Sequence, residues 1–182
     1  MERGGSGPFG LRMGATLEEL ESLGLTPTGR PCMYTAASVP RPHSGFEIYA
    51  LEITPQFGLS FIKALGRDIS TNSRGTALRG EFESLETRLS AVYGSGKRTD
   101  AIYPDSIWNE PSDFMMGLQL GERILATSWK TTSQRPLKDS LAGVILAAQA
   151  TDQNTGFLGL EYYFENQKKA QKLIDSLEDD VL

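Results

Sequence analysis

The chain has 182 residues, 39% of them hydrophobic and 23% charged, with a formal net charge of −5 and an isoelectric point near 5.0. That is enough apolar material to offset the backbone entropy of folding and too little charge for disorder, and the length predicts one core. Nucleic acid is excluded as an expected partner because no run of Lys or Arg could release counterions from a phosphate backbone. A membrane span is excluded because the longest apolar run, Leu141 to Ala150, is broken by Gly143 and Gln149 and falls short of the roughly 20 residues a bilayer requires.

The opening Met-Glu-Arg-Gly-Gly-Ser-Gly has charge but no apolar stretch, so residues 1–8 read as a flexible tail rather than a signal peptide, with one α+β domain over 9–182. The first helix is predicted from Thr16 to Leu23. Thr16 and Glu19 have the spacing of a capping box, Leu17, Leu20 and Leu23 share a side, and Gly24 ends the helix in a left-handed conformation. Three extended segments follow between Met33 and Leu65, separated by turns at 40–45 and at 54–58. In the third, Phe57, Leu59, Phe61 and Leu65 alternate with Gly58, Ser60, Ile62 and Ala64, and Lys63 interrupts the first set.

A long helix from Thr76 to Tyr93 is the strongest periodic signal, with Leu78, Phe82, Leu85, Leu89 and Val92 on one face and Gly94 as its stop. A polar loop comes next. Four further strands are predicted over Asp113–Leu120, Ile124–Trp129, Leu141–Ala150 and Phe157–Phe164, with a hairpin turn at Gly121-Glu122. Asn166 is placed to cap a last helix that buries Ala170, Leu173, Ile174 and Leu177. The expected fold class is therefore α+β: an antiparallel sheet of about seven strands, packed by one long central helix and a C-terminal helix. The order of elements fits two α-then-sheet units, divided near residue 70, and equally one continuous sheet under the long helix.

The chemistry-bearing motifs are mostly exclusions. Gly94-Ser95-Gly96-Lys97-Arg98-Thr99 imitates a phosphate loop, yet Ala91 stands where a glycine is needed, Arg98 replaces the magnesium-binding hydroxyl, and a helix rather than a strand precedes it. His43 is the single histidine and sits in a proline-rich turn. Cys32 is the single cysteine; it excludes an intramolecular disulfide and fits a reducing, cytoplasmic compartment. No nucleophile elbow, zinc-binding helix, dinucleotide fingerprint or calcium loop occurs, so no cofactor, metal site or catalytic residue is assigned. Two polar segments carry the candidate binding residues: Gly66–Asn72 with Asp68 and Asn72, and Asp105–Asp113 with Trp108, Glu110 and Asp113. A loop tryptophan ringed by carboxylates can anchor a partner at small entropic cost, or it can simply plug an edge of the core.

The runs Lys63-Ala64-Leu65-Gly66-Arg67-Asp68-Ile69 with Thr71-Asn72, and Asp105-Ser106-Ile107-Trp108 with Glu110-Pro111 and Asp113, resemble a family of uncharacterised bacterial proteins of similar length. The resemblance covers most of the chain after residue 8 and implies an α+β fold with no known activity. Gly14-Ala15-Thr16-x-x-Glu19 is similar to the helix start of small lipoprotein and β-lactamase-inhibitor-type domains, although Ala15 stands where they have Met. The functional expectation is a non-catalytic binding protein, an immunity or inhibitor protein whose acidic surface meets a basic protein partner. The alternative is a small carboxylate-dependent enzyme or small-ligand sensor with its pocket between the sheet and the two polar loops.

Overall fold

A computed structural model describes residues 7–180, so most of the expected tail, residues 1–6, lies outside the described residues. Pro8 is buried in a short 3-10 turn, Pro8–Gly10. The next element, α1 (Leu17–Leu20), is capped by Thr16, which accepts from Glu19 N, while the Glu19 carboxylate accepts from Thr16 N. A 3-10 turn continues it to Leu23, and Gly24 closes it at φ +67°. Leu20 and Leu23 are buried, whereas Leu17 faces outward.

The strands are β1 (Leu25–Pro27), β2 (Met33–Ala36), β3 (Phe46–Thr54), β4 (Gly58–Gly66), β5 (Ile69–Ser70), β6 (Lys97–Ile102), β7 (Arg123–Lys130), β8 (Leu141–Ala150) and β9 (Thr155–Phe164); the further helices are α2 (Thr76–Tyr93), α3 (Phe114–Gln119) and α4 (Gln167–Asp179). Among the described residues the sheet runs β1-β2-β3-β4-β9-β8-β7-β6, with β5 pairing β9. The fold is α+β on antiparallel sheet, with the long central helix and the C-terminal helix both present.

Two predicted elements differ. Asp113–Leu120 is a 3-10 turn, Pro111–Asp113, followed by α3, not a strand. Eight residues with apolar side chains at 114, 115, 116, 118 and 120 satisfy both periods, and the helix prevails because it buries Phe114, Met115 and Gly117 together while Leu120 is left exposed. Gly121, at φ +71°, therefore ends a helix instead of turning a hairpin. Conversely the polar stretch after Gly94 contains β6, which pairs with β7 from Lys97↔Ser128 to Ile102↔Arg123. Its charged residues show no alternation, and the strand exists because β7 supplies six ladder partners. The short β1 and β5 were too brief to read from pattern.

The described residues form two compact units: 7–64 with 131–143 and 161–180, and 65–130 with 144–160. In the first, Tyr49, Leu51 and Ile53 of β3, Ile62 and Ala64 of β4, and Tyr162 and Phe164 of β9 are buried with Ala170 and Ile174 of α4. Asn166 begins α4, but its side chain does not cap the helix; Nδ2 donates to the Phe57 and Leu59 carbonyls at 2.9 and 3.1 Å. Phe9 meets Tyr49, Phe46 and Tyr162 edge-on, with ring centroids 4.9 to 5.8 Å apart. Leu173 and Leu177 do not join the buried set.

In the second unit α2 buries Leu78, Phe82, Leu85 and Leu89, but Val92 of the predicted face is exposed. Its start is fixed by Thr71 Oγ1, which accepts from Ala77 N at 3.0 Å, and by Asn72 Oδ1, which accepts from Thr76 N at 3.1 Å. Gly75 lies so close to Phe114 that a Cβ there would stand 2.4 Å from the ring. At the other end Trp129 Nε1 donates to the Gly94 carbonyl at 2.8 Å, and Arg98 on β6 donates to Glu86 at 2.8 Å while its guanidinium lies over Phe82. The Glu86 carboxylate also accepts from Thr127 Oγ1. Gly96 of the phosphate-loop imitation packs against Thr127 and Trp129, where a Cβ would clash, so that glycine serves packing.

Truncating Phe82 to Ala removes a fully buried ring and is expected to cost about 3–5 kcal/mol of unfolding free energy. Val92→Ala, on the same predicted stripe but exposed, should change it by less than about 0.5 kcal/mol. Urea unfolding midpoints measure both, and equal shifts would contradict the burial assigned to this helix.

Candidate functional site

Two places gather polar and exposed apolar side chains. The first is the corner of the second unit between β6 and β7. Tyr103 N donates to the Glu122 carbonyl at 2.9 Å, one pair beyond the Ile102↔Arg123 register, and Ser106 N donates to the Tyr103 carbonyl at 3.0 Å, closing a turn. Ser106 is buried, and its Oγ accepts from Trp108 N at 3.1 Å. Held between these anchors, Ile107 projects outward with 76% of its surface exposed, beside Tyr103 at 54%. Trp108 is half-buried, close to Gly117 of α3 through its backbone carbonyl.

The expected binding residues divide by role. Asp113 Oδ2 accepts from Glu110 N at 3.2 Å, so these two shape the turn that starts α3, although the Glu110 side chain stays exposed. Asn72 is committed to the start of α2. Asp68 is exposed between β4 and β5. The segments just beyond the two polar loops meet: Met115 N of α3 donates to the Ser73 carbonyl at 3.0 Å, and Phe114 packs on Gly75. Arg79 and Arg123 lie over the Phe114 ring, and Asp100 bonds Arg123 at 2.9 Å and stands 3.8 Å from Arg79. Phe114 and its two arginines, Arg79 on α2 and Arg123 on β7, lie outside the expected set, since pattern alone does not reveal which cations of distant elements stack on a buried ring.

The second place is the strand face of the first unit that carries Met33, Ala50, Phe61 and Lys63. Met33 pairs with Glu52 across β2 and β3. Glu52 is only 5% exposed and accepts from Ser60 Oγ at 2.6 Å. Its pKa is raised above the ordinary carboxylate value because burial penalises the charged form more than the Ser60 hydrogen bond favours it. Glu161 Oε1 pairs with Lys63 Nζ at 3.0 Å and Oε2 accepts from Tyr163 Oη at 2.6 Å. Burial first, then the bond to Glu161, pushes the Tyr163 phenol far above its usual range. These acids were missed, and the available signals were Glu52 within Tyr49-Ala50-Leu51-Glu52-Ile53 and Lys63 interrupting its strand. A charge in a strand that is otherwise apolar marks either an exposed face or a paired group.

Cys32 is held above its ordinary thiol value by burial and by Glu52, which lowers its thiolate fraction and its nucleophilicity. His43 Nδ1 accepts from Gly45 N at 3.0 Å and thus serves its turn. Among the described residues no group of three or more His, Cys, Asp or Glu side chains could hold a metal ion, and no helix is long and apolar enough to cross a membrane. Comparison with protein-family models, curated proteins and solved structures returns no match to this chain.

The raised pKa of Glu52 fixes a sign. The folded state holds this proton more tightly than the unfolded chain, so the contribution is fully present below the unfolded carboxylate pKa and is lost as pH rises through the folded one. Relative to wild type, Glu52→Gln should therefore gain stability as pH rises from below the ordinary carboxylate value toward neutrality. Thermal unfolding of both chains across that range tests it; a difference that is flat or of opposite slope would contradict a protonation-favouring site at Glu52.

Proposed function

We infer that the chain is a non-catalytic protein-binding module, of the immunity or inhibitor kind, whose basic partner docks on the corner formed by β6 and the turn from Tyr103 to Trp108. The observation that carries this reading is Ile107, which a buried serine and two hydrogen bonds hold in the open. Displaying an apolar side chain this way stabilises nothing in the free protein, whereas a rigid apolar anchor beside aromatic side chains contributes strongly to an interface.

Strand order and charge support the same corner. β6 ends the sheet, and an edge strand offers unpaired backbone groups to an incoming segment. Its Arg98 and Asp100 are tied back to Glu86 and Arg123. Thr99 and Ala101 lie on the opposite face, in register with Ala126 and Ile124 and continued by Tyr103. Asp105 and Glu110 are exposed in the segment that follows β6, Glu122 stands opposite Tyr103, and the net charge of −5 favours approach of a cationic partner.

The test is affinity capture from the native host at about 50 mM salt, repeated at about 500 mM, where screening shortens the reach of charge severalfold. A basic protein should be retained by wild type at low salt. It should be released at high salt and lost by about tenfold or more from Ile107→Asp, as expected for an interface anchor. Retention that ignores both salt and Ile107→Asp, or recovery of no protein at all, would refute the reading.

A further inference from the structure

We propose that the first unit carries a separate binding site for a small organic carboxylate with a flat apolar body, held between Arg30 and Lys63 over Met33, Ala50 and Phe61. The site is a depression of about 420 Å³ whose charged lining is Arg30, Lys63 and Glu161 and whose apolar lining is Met33, Ala50 and Phe61. That volume lies within the range of small-molecule sites, roughly 300–1,000 Å³. It shares no residue with the β6 corner and does not depend on the reading given above.

The shape is built in. Thr28 N donates to the Met33 carbonyl at 3.0 Å, Met33 N to the Arg30 carbonyl at 3.2 Å, and Thr28 Oγ1 to the Met33 carbonyl at 3.1 Å. Gly29 at φ +86° and Cys32 at φ +58° close this tight loop between β1 and β2. Arg30 is thereby brought to the strand face that holds Phe61 and Lys63. Phe61 is braced by Tyr163, with ring centroids 4.9 Å apart.

The chemistry of the ligand follows from which groups are already engaged. Both oxygens of Glu161 are occupied, one by Lys63 and one by Tyr163. Glu52, across from Met33, is bonded to Ser60. The carboxylates therefore have their donors. The cations are less fully engaged: among the described residues the Arg30 side chain makes no hydrogen bond or ion pair, and the Lys63 ammonium, with three donors, is paired with one oxygen of Glu161. What the depression lacks is an acceptor with two oxygens, which a guanidinium and an ammonium together recognise well. The adjoining Met33 and Phe61 add a surface for a flat aromatic body.

The probe is para-trifluoromethylbenzoate, followed by fluorine NMR against the full chain, with para-trifluoromethylbenzyl alcohol as the uncharged match. The carboxylate should bind saturably at one site, and the alcohol about tenfold more weakly, the scale of a charge-assisted hydrogen bond. Arg30→Gln and Lys63→Gln should each weaken the carboxylate about fivefold or more, while Lys172→Gln on α4 should leave it unchanged. Lys63→Gln also breaks the bridge to Glu161, so Arg30→Gln, whose side chain supports no other group, decides the matter if the lysine variant does not fold. Absence of saturable binding, equal binding of the alcohol, or wild-type binding by Arg30→Gln would each overturn the proposal.

Discussion

The second unit depends on one seam, in which Leu78, Phe82, Leu85 and Leu89 of α2 leave water together. Apolar burial alone is non-directional and would allow the helix to slide along its bed. Polar contacts at both ends set its register. Thr71 and Asn72 fix the first turn, Trp129 holds the Gly94 carbonyl, and Glu86 ties Arg98 of β6 to Thr127 of β7. Because Glu86 and Arg98 satisfy each other against a buried ring, the charges cost less than isolated ions would, and removing one would strand the other.

That seam explains how a strand without apolar alternation persists at the sheet edge. Arg98 and Asp100 of β6 point toward the helix and find opposite charges, so the strand is held by ion pairs and ladder bonds instead of by its own greasy face. The other face of β6 is then released from structural duty. Tyr103 and Ile107 stand beyond it on a turn pinned by Ser106, and on their exposure the proposed binding role rests. In the first unit the corresponding freedom lies on the face of Phe61 and Lys63, where Glu161 is held by Lys63 and Tyr163 and the cations still have donors to give.

Elements whose local preference and burial agree could be read from the residues alone. The capping box at Thr16, the four-and-three spacing of Leu78 to Leu89 and the alternation Leu158, Leu160, Tyr162, Phe164 each met one period and one environment. Where the two signals separate, reading fails. Phe114 to Leu120 fits both a strand and a helix, and only the neighbours that bury Phe114 and Met115 choose between them. β6 is invisible because its stability resides in β7 and α2. The candidate residues show the same split. Trp108 was legible as an unusual loop aromatic, but the roles of Asn72 and Asp113 in starting helices depend on backbone groups brought near by the fold. Glu52 and Glu161 escaped notice because their partners, Ser60 and Lys63, lie on another strand or are themselves ordinary in sequence.

Native-state amide hydrogen exchange tests the seam most directly. If α2 is locked by its buried face and its polar ends, the amides of Phe82, Leu85 and Leu89 should exchange only through global opening, in one class with the inner amides of β7. Fast exchange along α2 while β7 stays protected would mean that the helix is an appendage, and that the corner it supports has some other foundation.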